Sequence, residues 1–116
     1  MSIQAYQRAA TQAETPREVE YRAFGVATAG LVRAKEAGRA RLGEYPEALD
    51  ANRRLWTMLG NDCALEGNQL PAPLRANIVS LAMWVSRYTS DVIRGESEIE
   101  YLIDVNRAMM EALAPR

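Results

Sequence analysis

The 116 residues are 48% hydrophobic and 25% charged, with 14 basic and 15 acidic side chains and a net charge of −1. That length predicts a single domain, 1–116, whose core needs neither disulfide nor metal, and the composition excludes a disordered chain. The near-neutral balance gives no strong field for a phosphate backbone, and no apolar run approaches the ~20 residues of a membrane helix.

The first residues lack the basic start and continuous apolar stretch of a signal peptide, which predicts a cytoplasmic protein. All but one of the basic residues are arginine, Lys35 being the exception. Bidentate carboxylate recognition and genomic codon bias both account for that preference.

In chain order, a first short helix is predicted over 3–13, with Ser2 as its cap and a thin apolar side of Ile3, Tyr6 and Ala10. So short a helix is marginal alone and is held only by packing, so it is the element expected to move. A second helix, 16–37, opens on the capping box of Thr15 and Glu18 with Pro16 at its first position, and stops at Gly38. Val19, Ala23, Val26, Ala27, Gly30 and Ala34 form a stripe of small residues on one side. Tyr21, Phe24, Thr28, Leu31 and Val32 form a bulkier stripe toward the other. A helix apolar on two sides needs two partners.

A polar loop then leads to a third helix, 46–65, carrying Leu49, Asn52, Leu55, Trp56, Leu59 and Cys63 on one side. Gly60 weakens it by about 1 kcal/mol relative to alanine, so a bend or early end is possible there. The fourth helix, 72–94, repeats Leu74, Ile78, Leu81, Val85, Tyr88 and Val92 in a heptad-like seam and is expected to be central. The fifth, 97–113, begins with a Ser97–Glu100 capping box, and the short link before it implies an antiparallel pair with the fourth. The fold class is all-α: an antiparallel bundle of four long helices plus a short N-terminal one.

Chemistry is scarce. The chain has no histidine, which removes the commonest general base and metal ligand, and no glycine-rich phosphate loop. Helix N-termini favour the carboxylate clusters at Glu18 and Glu20 and at Glu96, Glu98 and Glu100. No enzyme, cofactor or metal site is expected. Cys63, on an apolar side, reads as a small buried hydrophobe. Arg33, Lys35, Arg39 and Arg41 complement a helix C-terminus, or else contact RNA, although no aromatic residue is interleaved. Asn52 and Asn106 interrupt apolar stripes and are expected to hydrogen-bond internally.

Two stretches carry a resemblance. Asn52 to Trp56 lead into Leu59, Asp62 and Cys63, and Gly67 to Arg75 run into Ile78, Ser80, Leu81, Trp84, Val85 and Ser86. With Ala5-Tyr6-Gln7, Thr15-Pro16-Arg17-Glu18 and the Leu102, Ile103, Asn106, Arg107 end, the pattern resembles the FlaF family across nearly the whole chain. Residues 33–48 match nothing distinctive. The resemblance implies a cytoplasmic factor needed for flagellin production and export, linked to flagellin and to FlbT, a regulator of flagellin messenger RNA that acts in opposition.

A chaperone sheltering an amphipathic flagellin segment by helix-in-groove binding is the expected mechanism. The groove is expected along Tyr21, Phe24 and Leu31 with the first helix and Tyr6 as its lid, or else filled by that helix as ordinary core. Asn68, Gln69 and Arg75 offer a second contact, because loops more often carry function. Trp56 and Trp84 read as core before partner anchors. The rival readings are a post-transcriptional regulator of flagellin messenger RNA, acting with or against FlbT, and a homodimer formed through surplus apolar surface.

Overall fold

The computed structural model describes residues 2–5, 15–39 and 43–114. Residues 3–5 are helical, and the remainder of the predicted first helix, Tyr6 included, lies outside the described residues. Four longer helices follow: α1, Pro16–Ala37; α2, Glu44–Ala64; α3, Ala72–Ile93; and α4, Glu100–Leu113.

The ends have local causes. At α1 the Thr15 hydroxyl accepts from the Glu18 amide at 3.2 Å and the Glu18 carboxylate accepts from the Thr15 amide at 3.4 Å, completing the predicted capping box. Gly38 closes the helix at φ 76°, donating to the Ala34 carbonyl at 2.9 Å. The second long helix starts two residues before Pro46, within whose first turn the missing N–H of proline costs nothing. It runs through Gly60 without ending, and an added Cβ there would come within 2.8 Å of the Ala82 Cβ: α2 and α3 approach closely at that point.

The last helix departs from expectation. It begins at Glu100, not at 97, its N-cap residue is Ile99, and no side chain caps it. The turn before it is claimed by Tyr88, whose hydroxyl donates to the Glu98 carbonyl at 2.6 Å.

Neighbouring helices run antiparallel. Arg17 at the start of α1 donates to the Ala112 carbonyl at the end of α4 at 2.7 Å, and Lys35 near the end of α1 meets Glu100 at 2.9 Å. Arg53 of α2 reaches Ser90 of α3 at 3.2 Å. The inner pair is α1 and α2: α1 packs on α2 and α4, and α2 packs on α1 and α3. The expectation of a central 72–94 helix paired with the last one is therefore corrected. α3 is an outer helix, with Ile78, Val85, Thr89 and Val92 buried and Met83 and Ile93 exposed. It meets α4 near their joined ends, where the Tyr88 and Tyr101 rings stand edge to face with centroids 6.1 Å apart. A short link sets the direction of two successive helices, but it is the two-sided apolar surface of α1 that decides which neighbour lies alongside.

The core is built on Phe24 and Trp56, both fully buried, in an edge-to-face contact with centroids 5.0 Å apart. Full burial of each large apolar side chain contributes about 1.5–3 kcal/mol. At the centre lies a polar knot. Trp56 donates its indole N–H to Asn106 Oδ1 at 2.8 Å, and Asn106 Nδ2 donates to Asn52 Oδ1 at 2.7 Å and to Thr28 Oγ1 at 3.1 Å. The internal role expected for Asn52 and Asn106 is thus observed, and it joins α1, α2 and α4.

Candidate partner-binding surface

The two stripes of α1 have opposite fates. Phe24 and Leu31 have no exposed surface, Thr28 is buried, and Tyr21 packs half-buried against the same core. Among the described residues no open groove runs along Tyr21, Phe24 and Leu31, because α2 and α4 already fill that side with core contacts. This corrects the expected position of the groove. The stripe of small residues, apart from buried Ala34, faces outward instead: Val26 is 70% exposed and Val19 47%, with Ala23, Ala27 and Gly30 half-buried along it.

On α2 the matching face holds exposed Ala51 and Met58 beside half-buried Ala48 and Leu55, with exposed Leu65 just past the helix end. A valley of about 340 Å³ opens between the two helices, floored by Ala27, Gly30 and Ala34 on one side and Ala48 and Ala51 on the other, with Val26 at its edge. Arg33 stands on its α1 rim and Glu44 and Glu47 on its α2 rim.

At the other end of the same face lies a wider hollow of about 700 Å³, lined by Thr15, Arg17 and Glu20 of α1, Asp62 of α2 and the loop from Leu65 to Leu70. One carboxylate oxygen of Glu20 is buried without a hydrogen-bond partner. Burial raises its pKa above the usual carboxylate value and the neighbouring Asp62 charge raises it further, against a lowering by Arg17. The Arg17 guanidinium gives one N–H to the Ala112 carbonyl, and its Nε, like the Glu20 oxygen, is buried without a partner. Burial, then Glu20, also push the Cys63 thiol up, so this buried cysteine is a poor nucleophile and the small-hydrophobe reading fits it.

The loop residues singled out from the sequence separate by role. Asn68 and Gln69 line the hollow. Asn68 also shapes the loop, donating to the Asp62 carbonyl at 3.2 Å and accepting from the Leu70 amide at 3.0 Å. Arg75 forks onto the carbonyls of Cys63 and Leu65, both at 3.0 Å, and so caps the end of α2 from α3. Tyr21, Phe24 and Leu31 are not part of this surface.

Of the basic patch, Lys35 is paired with Glu100, while Arg39 donates to the Val92 carbonyl and lies 5.1 Å over the Tyr45 ring. Arg41 lies outside the described residues. Trp84 is half-buried and stacks on Tyr88 with centroids 4.6 Å apart, whereas Trp56 is core. Among the described residues no three His, Cys, Asp or Glu side chains converge as a metal site, and no helix is long and apolar enough to cross a membrane.

Sequence reasoning missed Val19, Val26, Met58, Leu65 and the Glu20–Asp62 pair as surface features. The signal was present in the seven-residue spacing of Val19 and Val26, and of Met58 and Leu65. It was ambiguous, because small residues at helical spacing equally suit a buried helix crossing.

The sequence pattern of the family described as flagellar protein FlaF matches residues 2–113. The chain belongs to the FlaF family. The match spans all four long helices, so both walls of the valley and the loop beneath it are parts of the FlaF-type fold. Neither the curated proteins nor the solved structures yielded a match to this FlaF-family chain.

Proposed function

We propose that this FlaF-family protein binds flagellin in the cytoplasm and promotes its production and secretion, acting as an export chaperone that covers an amphipathic flagellin helix. Family membership places the chain among flagellar proteins. The observation that carries the finer reading is the outward face of the inner helix pair, where four bulky apolar side chains, Val19, Val26, Met58 and Leu65, remain 47–70% exposed around a floor of alanine and glycine. Exposed apolar surface grouped in this way marks a place where another molecule is received.

Helix-in-groove recognition suits it better than catalysis, since the chain has no histidine and its one cysteine is buried. Regulation of flagellin messenger RNA is the weaker reading, because Lys35 and Arg39 are engaged within the fold. FlbT is a possible second partner on the strength of the family resemblance alone. The test is co-expression with flagellin of the same organism followed by size-exclusion chromatography. Co-elution as a defined complex is expected, and separate elution at micromolar concentration would refute the reading.

A further inference from the structure

We propose that the α1–α2 face seats one amphipathic helix of about 14 residues, carrying a lysine or arginine at the end that lies over Glu20 and Asp62. The inference rests on the chaperone reading and names the partner chemistry of its surface. The length follows from the face itself: Glu20 to Ala34 spans about 21 Å at 1.5 Å per residue. Ala23, Ala27, Gly30 and Ala34 on α1 and Ala48 and Ala51 on α2 keep the floor low. A third helix backbone therefore settles between them at close range, the geometry small residues allow. Val19 and Val26 on one side, with Met58 and Leu65 on the other, form apolar rims that grip its flanks.

The polarity comes from the hollow at the foot of the valley. The Glu20 oxygen buried there has no partner, and Asp62 adds a second negative charge. Arg17, the cation beside these two carboxylates, gives one N–H to the Ala112 carbonyl, while its Nε has no partner, so the hollow keeps an excess of negative charge. A positive side chain delivered by the occupant over the hollow pairs with the Glu20 and Asp62 carboxylates and removes the repulsion between them, a charge-assisted contact of the strong kind. A second copy of this chain is a poor occupant, because two concave faces laid together leave a void where a single helix leaves none.

The test uses full-length protein and a fluorescein-labelled 16-residue synthetic helix with a leucine–alanine stripe and two lysines at one end. A control peptide carries glutamates in place of the lysines. Val26→Asp and the pair Glu20→Gln/Asp62→Asn are made at positions outside the fully buried core, with circular dichroism reporting their fold. Anisotropy should show binding of the lysine peptide, at least tenfold weaker binding of the glutamate peptide, and a loss of tenfold or more in either variant. Equal binding of the two peptides, or full binding by Val26→Asp, overturns the inference.

Flagellin titrated in parallel separates the two levels. If flagellin binds wild type and Val26→Asp alike, the seat is wrong and the chaperone reading stands. If the lysine peptide binds and flagellin does not, the chaperone reading fails and the seat remains. Wild-type self-association in sedimentation that Val26→Asp abolishes would give the face to a second copy and overturn the inference.

Discussion

Asn106 offers the sharpest test of how the bundle is held. Replacing it with leucine, a similarly branched side chain, removes one acceptor and two donors from a site with no exposed surface. The Trp56 N–H then loses its acceptor and Asn52 Oδ1 loses its donor, while Thr28 keeps its own bond to the Phe24 carbonyl at 2.6 Å. Each orphaned buried group costs about 1–3 kcal/mol. With the added apolar burial returning about 1 kcal/mol, the net loss should be about 1–5 kcal/mol. For a domain of this size that is roughly a 10 °C fall in melting temperature.

Asn52→Leu should behave differently. Its own Nδ2 already lacks a partner, and Asn106 would keep its bond to Thr28. A cost under about 1 kcal/mol is expected. The double variant leaves only the Trp56 N–H orphaned, so it should be more stable than Asn106→Leu alone, a coupling opposite in sign to simple addition. Urea unfolding followed by circular dichroism measures all four corners of the cycle. Asn106→Leu within about 0.5 kcal/mol of wild type, or Asn52→Leu as damaging as Asn106→Leu, would refute the reasoning.

Three further outcomes follow from burial and close approach. Gly60→Ala should cost about 1–3 kcal/mol by overpacking against Ala82, and Ala82→Gly in the same chain should recover much of it in thermal melts. Glu20 has a folded pKa raised above its unfolded value, so its contribution is most favourable at acid pH and is lost as pH rises through the folded pKa. Glu20→Gln should therefore raise the melting temperature at pH 7, and the difference should vanish below about pH 4. Phe24→Asp should fail to give a cooperative thermal transition, since it puts an unpaired charge at a site with no exposed surface, and a folded Phe24→Asp variant would contradict the packing described.

What the sequence made legible was periodicity and punctuation. The Thr15–Glu18 capping box and Gly38 fixed the ends of α1, because those signals act over three or four residues of backbone. The Ser97–Glu100 box looked the same and did not form, because Tyr88, nine residues away in the chain from Ser97, takes that turn with its hydroxyl. Packing partners were less legible. Both stripes of α1 are apolar, and periodicity alone does not say which of them meets α2 and α4. The volume of Phe24 and Leu31 decided it, since burying them together with much of Tyr21 outweighs burying two valines, alanines and a glycine. That single inversion moved the candidate surface from one side of α1 to the other.

The same inversion explains why a polar knot and an exposed greasy face occur on one pair of helices. α1 and α2 each contribute to the core and to the outside, so their spacing sets both. The bonds from Asn106 to Thr28 and Asn52 tie α1 to α2 through α4 at the centre of the bundle, and the Gly60–Ala82 approach fixes the far side of α2 against α3. A core of aliphatic side chains alone tolerates sliding of one helix along another, whereas a shared amide bonded to two helices tolerates little. The valley floor is therefore held at one width before any partner arrives. The ordering cost of forming it is met by folding and not by binding, which is the arrangement that favours tight seating of a helix.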